Sequence, residues 1–460
     1  MTDIADLSAT ELLRNYRDGT LSPVEAAEAV IARIDACEPR LGALYDYRPD
    51  VALEAARTAE ARWMAGEAGP LEGVPVTIKE NIATKGVPMP LGTAARELAA
   101  APEDAPVAAR LREAGAVIVA KTTMPDYGML SSGLSSFHPL TRNPWDLAKN
   151  PGGSSAGAGA AAAAGYGPLH LGTDIGGSIR LPAGWCGVFG LKPSFGRVPL
   201  DPPFWGRVAG PMTRTVADAA LLMREITKPD VRDGMSLPPA EIAWDDLGID
   251  LRGVRVGLQL DPGIGLPVEA EVRACIEAAG RLFAEAGAIV EPLGPFLTRA
   301  MLDGLDTFWR QRAWADIGPL SEGERAKILP YILRWAEGGR DLSGADVYAG
   351  MSQMGAMRDA ALRATGRFDF VLSPVAPCAA FPAEMASPVD DPARPFEHIC
   401  FTVPFNFSEQ PTASVNAGYT ASGLPIGLQI AGRRFDDLGV LRVSAAFEQM
   451  RGERRPWPKV

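Results

Sequence analysis

An α/β fold, with a mostly parallel or mixed sheet covered by helices, is what this chain predicts, on three observations. Helix-like segments alternate with short β-like runs along the chain. Apolar residues make up 47% and charged residues 22% of the 460 positions, enough apolar material for a large core within an ordinary globular balance. No internal repeat or low-complexity linker separates the two halves.

The elements follow in order. Ser22-Pro23-Val24-Glu25 is a helix start. Ser22 is placed to cap, Pro23 to take the first helical position, where its missing N–H costs nothing, and Glu25 to close a capping box. Apolar spacing through Val30, Ile31 and Ile34 carries that helix to about Cys37, and a second helix spans Val51 to about Ala65. Val74 to Ile78 is a β-like run ending at Lys79. Ala105 to Ala114 reads as a helix, and the unbroken apolar run Ala116 to Ala120 as a buried parallel strand. Then come a strand over Val254 to Leu260, a helix over Val268 to Ala286 and a strand over Ala288 to Pro292. Phe368 to Leu372, Ala413 to Val415 and Ile426 to Ile430 are further strands, and Leu438 to Gln449 is a closing helix. Length alone would suggest two or three domains. Pro229 to Asp246, where Pro, Asp and Gly cluster, reads instead as a loop within one domain.

The formal net charge of −11 argues against a nucleic-acid surface or an anionic membrane as the main partner. Met1 to Ala9 has no basic stretch leading into an apolar run, and the small-residue run Ala156 to Gly165 is too short to cross a bilayer, so a cytoplasmic enzyme is expected. Cys37, Cys186, Cys275, Cys378 and Cys400 are scattered without a CxxC pair and read as reduced thiols.

The chemistry is concentrated between Asn143 and Pro193, where small residues let backbones approach a ligand or one another. Ser154 and Ser178 each follow a Gly-Gly pair. Gly153 to Gly157 also fits G-x-S-x-G with Ser155 as nucleophile, but that elbow needs a preceding buried strand and a later histidine. Here the preceding stretch is polar and proline-rich, and only His398 lies beyond position 170. Gly157 to Ala162 fits a loose dinucleotide fingerprint with no strand leading into it, and no phosphate-loop motif is present. With only His138, His170 and His398, all read as structural, a histidine metal site has little to draw on, and neither metal nor cofactor is expected. A serine nucleophile then needs another base. A lysine can serve if burial lowers its pKa; Lys79, at the end of an apolar run, is the candidate, set against the ordinary solvated lysine.

With these residues assembled, the chain resembles the amidase signature family. The resemblance is carried by Gly152-Gly153-Ser154-Ser155-Ala156-Gly157 and by the run from Gly172 through Asp174, Ile175, Gly176, Gly177, Ser178 and Arg180 to Pro182. Gly73 to Asn81 resembles the family's catalytic-lysine segment. Arg142 to Trp145, Cys186-Gly187, Gly190 to Pro193, Gly210 to Met212 and Gly423 to Gln429 are similar too. Two departures stand out: Ala156 where the strict signature has Gly or Ser, and Ser131 to Phe137 in place of the polar run of the amidotransferase branch.

The resemblance implies one domain over residues 1–460 around a large mixed sheet with helices on both faces. Its signature core would lie at about 70–215, and a C-terminal part at about 250–460 would complete sheet and pocket. It implies Ser178 as nucleophile, Ser154 (preceded by a cis peptide bond in the family) as proton relay, and neutral Lys79 as base. The backbone N–H groups of Ile175, Gly176, Gly177 and Ser178 would form the oxyanion hole, where one donor is worth roughly 3–4 kcal/mol in rate. Asp174 and Arg180 would brace the loop presenting Ser178, and Ser155 would either support the relay by hydrogen bonding or serve as loop structure. Met129, Leu130, Phe137, Phe204, Trp205 and Trp309 are candidates for an apolar entrance, with Pro202 to Gly206 as a projecting loop. Such an entrance predicts a small hydrophobic or aryl amide, anilide or carbamate (urethane) as substrate, with esterase side activity. The alternative is the glutamine-hydrolysing component of a tRNA-dependent amidotransferase complex, which releases ammonia from glutamine. A homodimer is expected by analogy with relatives.

Overall fold

The structure, a computed structural model, describes residues 3–452 and 454–460. It is built on one sheet of 11 strands. These are β1 (Leu44–Tyr45), β2 (Pro75–Lys79), β3 (Val117–Thr122), β4 (Leu169–Asp174), β5 (Phe189–Lys192), β6 (Val208–Thr213), β7 (Arg255–Leu258), β8 (Ile289–Pro292), β9 (Phe370–Pro374), β10 (Thr412–Tyr419) and β11 (Pro425–Gly432). Their order across the sheet is β1-β3-β2-β4-β6-β5-β10-β11-β9-β7-β8. The sheet is mixed: β3, β2 and β4 run parallel, as do β9, β7 and β8, while the ladders between β4 and β9 are antiparallel. The strands of residues 44–213 and those of residues 255–432 form two contiguous blocks, joined into one sheet through the β5–β10 ladder.

Alternate residues of a strand face opposite sides, and here both sides are covered. On β3, Val117 and Val119 join a cluster with the helices Pro23–Leu41, Pro49–Ala65 and Ala156–Ala164. Ile118 packs against the other cluster, built with the helices Pro106–Glu113, Val216–Ile226, Ala270–Glu285 and Asp437–Met450.

The helix start at Ser22 is made as its residues predict. Glu25 N donates to Ser22 Oγ at 3.2 Å and Ser22 N to Glu25 Oε2 at 2.8 Å. The helix runs past Cys37 to Leu41 and stops at Gly42, whose φ of 60° is left-handed. Residues 229–246 contain no helix or strand. No helix among the described residues is long and apolar enough to cross a membrane. The run from Ala156 is instead the helix Ala156–Ala164, buried at every position.

Candidate active site

Parallel pairing of β2 with β4, Val76 opposite Leu169 through Ile78 opposite Leu171, brings the carboxyl ends of both strands to one edge of the sheet. Lys79 ends β2 and Asp174 ends β4. The helix Ala156–Ala164 starts at the same edge, immediately after Ser154 and Ser155. Open α/β sheets bind ligands at the carboxyl ends of their strands, and the residues singled out in the sequence converge there.

Lys79 is fully buried. Its Nζ lies 2.8 Å from Ser154 Oγ, 3.0 Å from Ser155 Oγ and 3.1 Å from Thr173 Oγ1. Burial pushes its ammonium well below the ordinary lysine value; the charge of Arg207 pushes the same way, against the pull of Asp174 and Glu80. No carboxylate pairs with it among the described residues. A neutral amine offers one lone pair and two donors, and three hydroxyl groups can satisfy all of them.

The bond between Gly153 and Ser154 is cis. Gly153 admits no side chain, since a Cβ there would stand 2.5 Å from the amide nitrogen of Ser132. Ser155 ties the two serine segments together: its N donates to Ser178 O at 3.2 Å and its Oγ to Thr173 O at 3.2 Å. Asn81 Nδ2 donates to Thr173 Oγ1 at 3.2 Å, steadying a hydroxyl on Lys79.

Ser178 is half-buried on the wall of a cleft of about 400 Å³. The loop carrying it is held from behind. Asp174 accepts from Gly177 N at 2.8 Å, Ile179 N at 3.1 Å, Arg180 Nε at 3.0 Å, Arg180 Nη2 at 2.9 Å and Asn406 Nδ2 at 2.8 Å. Burial would raise the Asp174 carboxyl; the charge and hydrogen bonds of Arg180, with Asn406, outweigh it and hold it well below the usual carboxylate range. Arg180, also fully buried, donates further to Thr402 O, Gln429 Oε1 and Asn406 Oδ1 at 2.7–2.8 Å. Gly177 has a φ of +127°, and a Cβ there would lie 2.6 Å from Thr402 Oγ1.

Of the four N–H groups expected to receive an oxyanion, that of Gly177 is already bonded to Asp174. The N–H groups of Ile175, Gly176 and Ser178 have no acceptor among the described residues.

The expected entrance residues divide. Met129, Leu130 and Trp309 line the cleft with Ser178. Phe137 packs edge-on against Tyr45 at 5.7 Å and His138 at 5.0 Å instead. Trp205 lies against Phe407 at 5.1 Å and donates to Glu409 Oε1 at 3.3 Å. Phe204 is not on the wall but meets a residue that is: Arg312, whose Cζ stands 4.4 Å from its ring centre. Phe396, Ile399, Ser131 and Arg312, none singled out in the sequence, also line the cleft.

The histidines stay outside it. Thr77 Oγ1 and Gly167 O hold the two ring nitrogens of His170, and burial pushes its pKa down to about 3. His138 Nε2 meets Glu80 Oε2 at 3.3 Å. Burial pushes His398 down to about 3 as well, and its ring lies against Trp185. No group of three or more His, Cys, Asp or Glu residues that could hold a metal ion occurs among the described residues.

The Amidase family profile matches residues 25–441. The chain is 36% identical to an acylamidase of Rhodococcus erythropolis, over 98% of this chain and 96% of that one. It is 34% identical to the A component of the glutamyl-tRNA(Gln) amidotransferase of Chloroflexus aurantiacus, over 98% of both. Among solved structures it superposes on a bacterial aryl acylamidase of the amidase signature family with a TM-score of 0.89 and 34% identity, covering 96% of each chain.

Proposed function

The chain belongs to the amidase signature family and is a hydrolase of carbon–nitrogen bonds in non-peptide amides, and from that premise we propose a stand-alone serine amidohydrolase acting on small hydrophobic or aryl amides. The observation that carries this reading is the buried Lys79 among three hydroxyl groups, with no carboxylate partner among the described residues. An amine in that setting accepts a proton at neutral pH, where an exposed lysine would not.

In the proposed cycle Ser178 Oγ attacks the amide carbonyl carbon as its proton passes through Ser154 to Lys79 Nζ. The N–H groups of Ile175, Gly176 and Ser178 take the charge on the carbonyl oxygen. Lys79 returns the proton through the same relay to the leaving nitrogen, the C–N bond breaks, and an acyl-Ser178 ester remains. Water adds to that ester by the mirrored steps, giving the acid and free Ser178. An ester differs in the group expelled and a carbamate in the group left on Ser178, so both belong to the expected side activities. The apolar wall of Met129, Leu130, Ile175, Trp309, Phe396 and Ile399 favours a hydrophobic or aryl substrate.

The second reading, the glutamine-hydrolysing component of an amidotransferase, is favoured by one observation, the 34% identity with such a component over 98% of both chains. One screen separates the two. The purified protein is assayed on matched 4-nitroanilides, aryl carbamates and esters beside glutamine, with Ser178→Ala as control. Anilide turnover that vanishes in the control is the expected result. Feeble glutaminase activity with no anilide turnover would overturn the stand-alone reading.

A further inference from the structure

The cleft that holds Ser178 is lined mainly by apolar side chains. Of the residues on its wall, Arg312 alone carries a charge. Arg312 is half-buried, forms no ion pair among the described residues, and rests on the ring of Phe204. Asp316, a carboxylate whose charge reaches it, does not pair with it. Arg207 is also half-buried, and its side chain has no hydrogen-bond acceptor among the described residues. The charge of Arg312 adds to burial in lowering the Arg207 pKa to about 10, and Arg207 in turn lowers that of Lys79. Elsewhere in the chain the buried guanidinium is matched: Arg180 has Asp174, and Arg214 has Asp6.

Two half-buried guanidinium groups whose charges act on one another, one of them on the wall of the cleft and neither in an ion pair among the described residues, are costly to fold unless an anion joins them. We propose that Arg312 and Arg207 receive a free carboxylate of the substrate. The substrate is then an amide with an apolar body and an anionic end, such as an N-acyl amino acid or the monoamide of a dicarboxylic acid. This rests on the amidase reading and narrows it: the apolar wall takes the body, and the guanidinium pair selects the charge. Arg rather than Lys suits the task, because its planar fork meets both carboxylate oxygens.

The test compares two 4-nitroanilides of similar length, the mono-anilide of glutaric acid and the anilide of valeric acid, in wild type, Arg312→Gln, Arg312→Lys and Arg207→Gln. Glutarate binding is measured in parallel by calorimetry on the full chain carrying Ser178→Ala. The expected result is a kcat/KM ratio favouring the anionic substrate in wild type. That ratio should fall roughly ten- to a hundredfold in Arg312→Gln, mostly through KM, and by less in Arg312→Lys. Arg207→Gln should lower it in the same sense and keeps the test open if Arg312→Gln does not fold. Equal use of both anilides, with a ratio unmoved by the substitutions, overturns the inference and leaves the amidase reading standing. If neither anilide is cleaved the amidase reading is what fails, and the inference is then judged on glutarate alone. Binding that Arg312→Gln in the Ser178→Ala chain weakens supports it, and no binding overturns it.

Discussion

Replacing Asp174 by Asn keeps the size of the side chain and removes its charge, which tests what holds the Ser178 loop in place. One oxygen of Asp174 accepts from Gly177 N, Arg180 Nη2 and Asn406 Nδ2, the other from Ile179 N and Arg180 Nε. An asparagine would keep its oxygen toward the three donors and turn its NH₂ toward the remaining two, so two hydrogen bonds become donor–donor contacts. Arg180 would meanwhile be a fully buried charge with no counter-ion. Breaking a buried pair from one side costs about 3–5 kcal/mol; because Arg180 keeps Thr402 O, Gln429 Oε1 and Asn406 Oδ1, the lower half of that range is expected. At about 2.1 cal/mol/K of unfolding entropy per residue, a 460-residue chain loses roughly 1 °C of Tm per kcal/mol, so calorimetry should show a fall of about 3–4 °C. Activity should fall more than about tenfold, in kcat rather than KM, because the N–H group of Ile179, next after Ser178, loses its anchor. Adding Arg180→Met removes the orphaned charge and should restore part of the Tm but not kcat. A single variant melting within 1 °C or so of wild type would refute the charge-pair reasoning. A double variant recovering both quantities would show that Asp174 only neutralises Arg180 and does not hold the loop.

Three further outcomes follow from the site. Ser154→Ala, which removes the nearest hydroxyl to Lys79 at 2.8 Å, should lower kcat by about 10²–10⁴ in steady-state assays with little change in melting. Since Lys79 must be neutral to act, kcat should rise with pH along a limb centred well below 10.5. Arg207→Gln removes a positive charge that favours the neutral form, so the limb should move to higher pH, against the steady opposing pull of Asp174 and Glu80; a limb that stays in place or moves down in a pH–rate profile would contradict this. Gly177→Ala puts a Cβ 2.6 Å from Thr402 Oγ1 at a φ of +127°, and should cost about 1–3 kcal/mol in denaturant melts together with most of the activity.

How far the sequence discloses such a site depends on whether the signal is local. Lys79, Ser154 and Ser178 sit in short runs of glycine, serine and strand-forming residues, and the constraint behind those runs is short-range. Gly153 and Gly177 exist because a Cβ would strike Ser132 N or Thr402 Oγ1, so the contact that matters is written as an absent side chain. The helix Ala156–Ala164 is the opposite case. It is buried all round, so its apolar residues follow no period, and composition without periodicity reads as a hydrophobic run of unknown shape. Gly350, Met354, Met357, Ala361 and Thr365, the buried positions of the helix Gly344–Thr365, do form a helical stripe, which the mixed polarity of the intervening residues obscures. Strands β5 and β6 are hidden by Gly190, Gly210 and Pro211, residues that ordinarily argue against strands. A Cβ on Gly210 would lie 2.1 Å from Leu191 O, and the β5–β6 ladder stops at Met212, beside Pro211, so close backbone approach sets both choices. The cleft wall is least legible of all. Trp309 and Arg312 come from one helix and Phe396 and Ile399 from a segment over eighty residues later, and nothing local says that they face Ser178. Phe137 and Trp205 show the converse, since an aromatic in a loop near the signature is as well satisfied by Tyr45 or Phe407 as by a substrate. The relay of an amidase is therefore fixed by residues that must touch, and is readable. Its specificity is fixed by residues that must only face the same space, and that is where the unmatched charge of Arg312 carries the information.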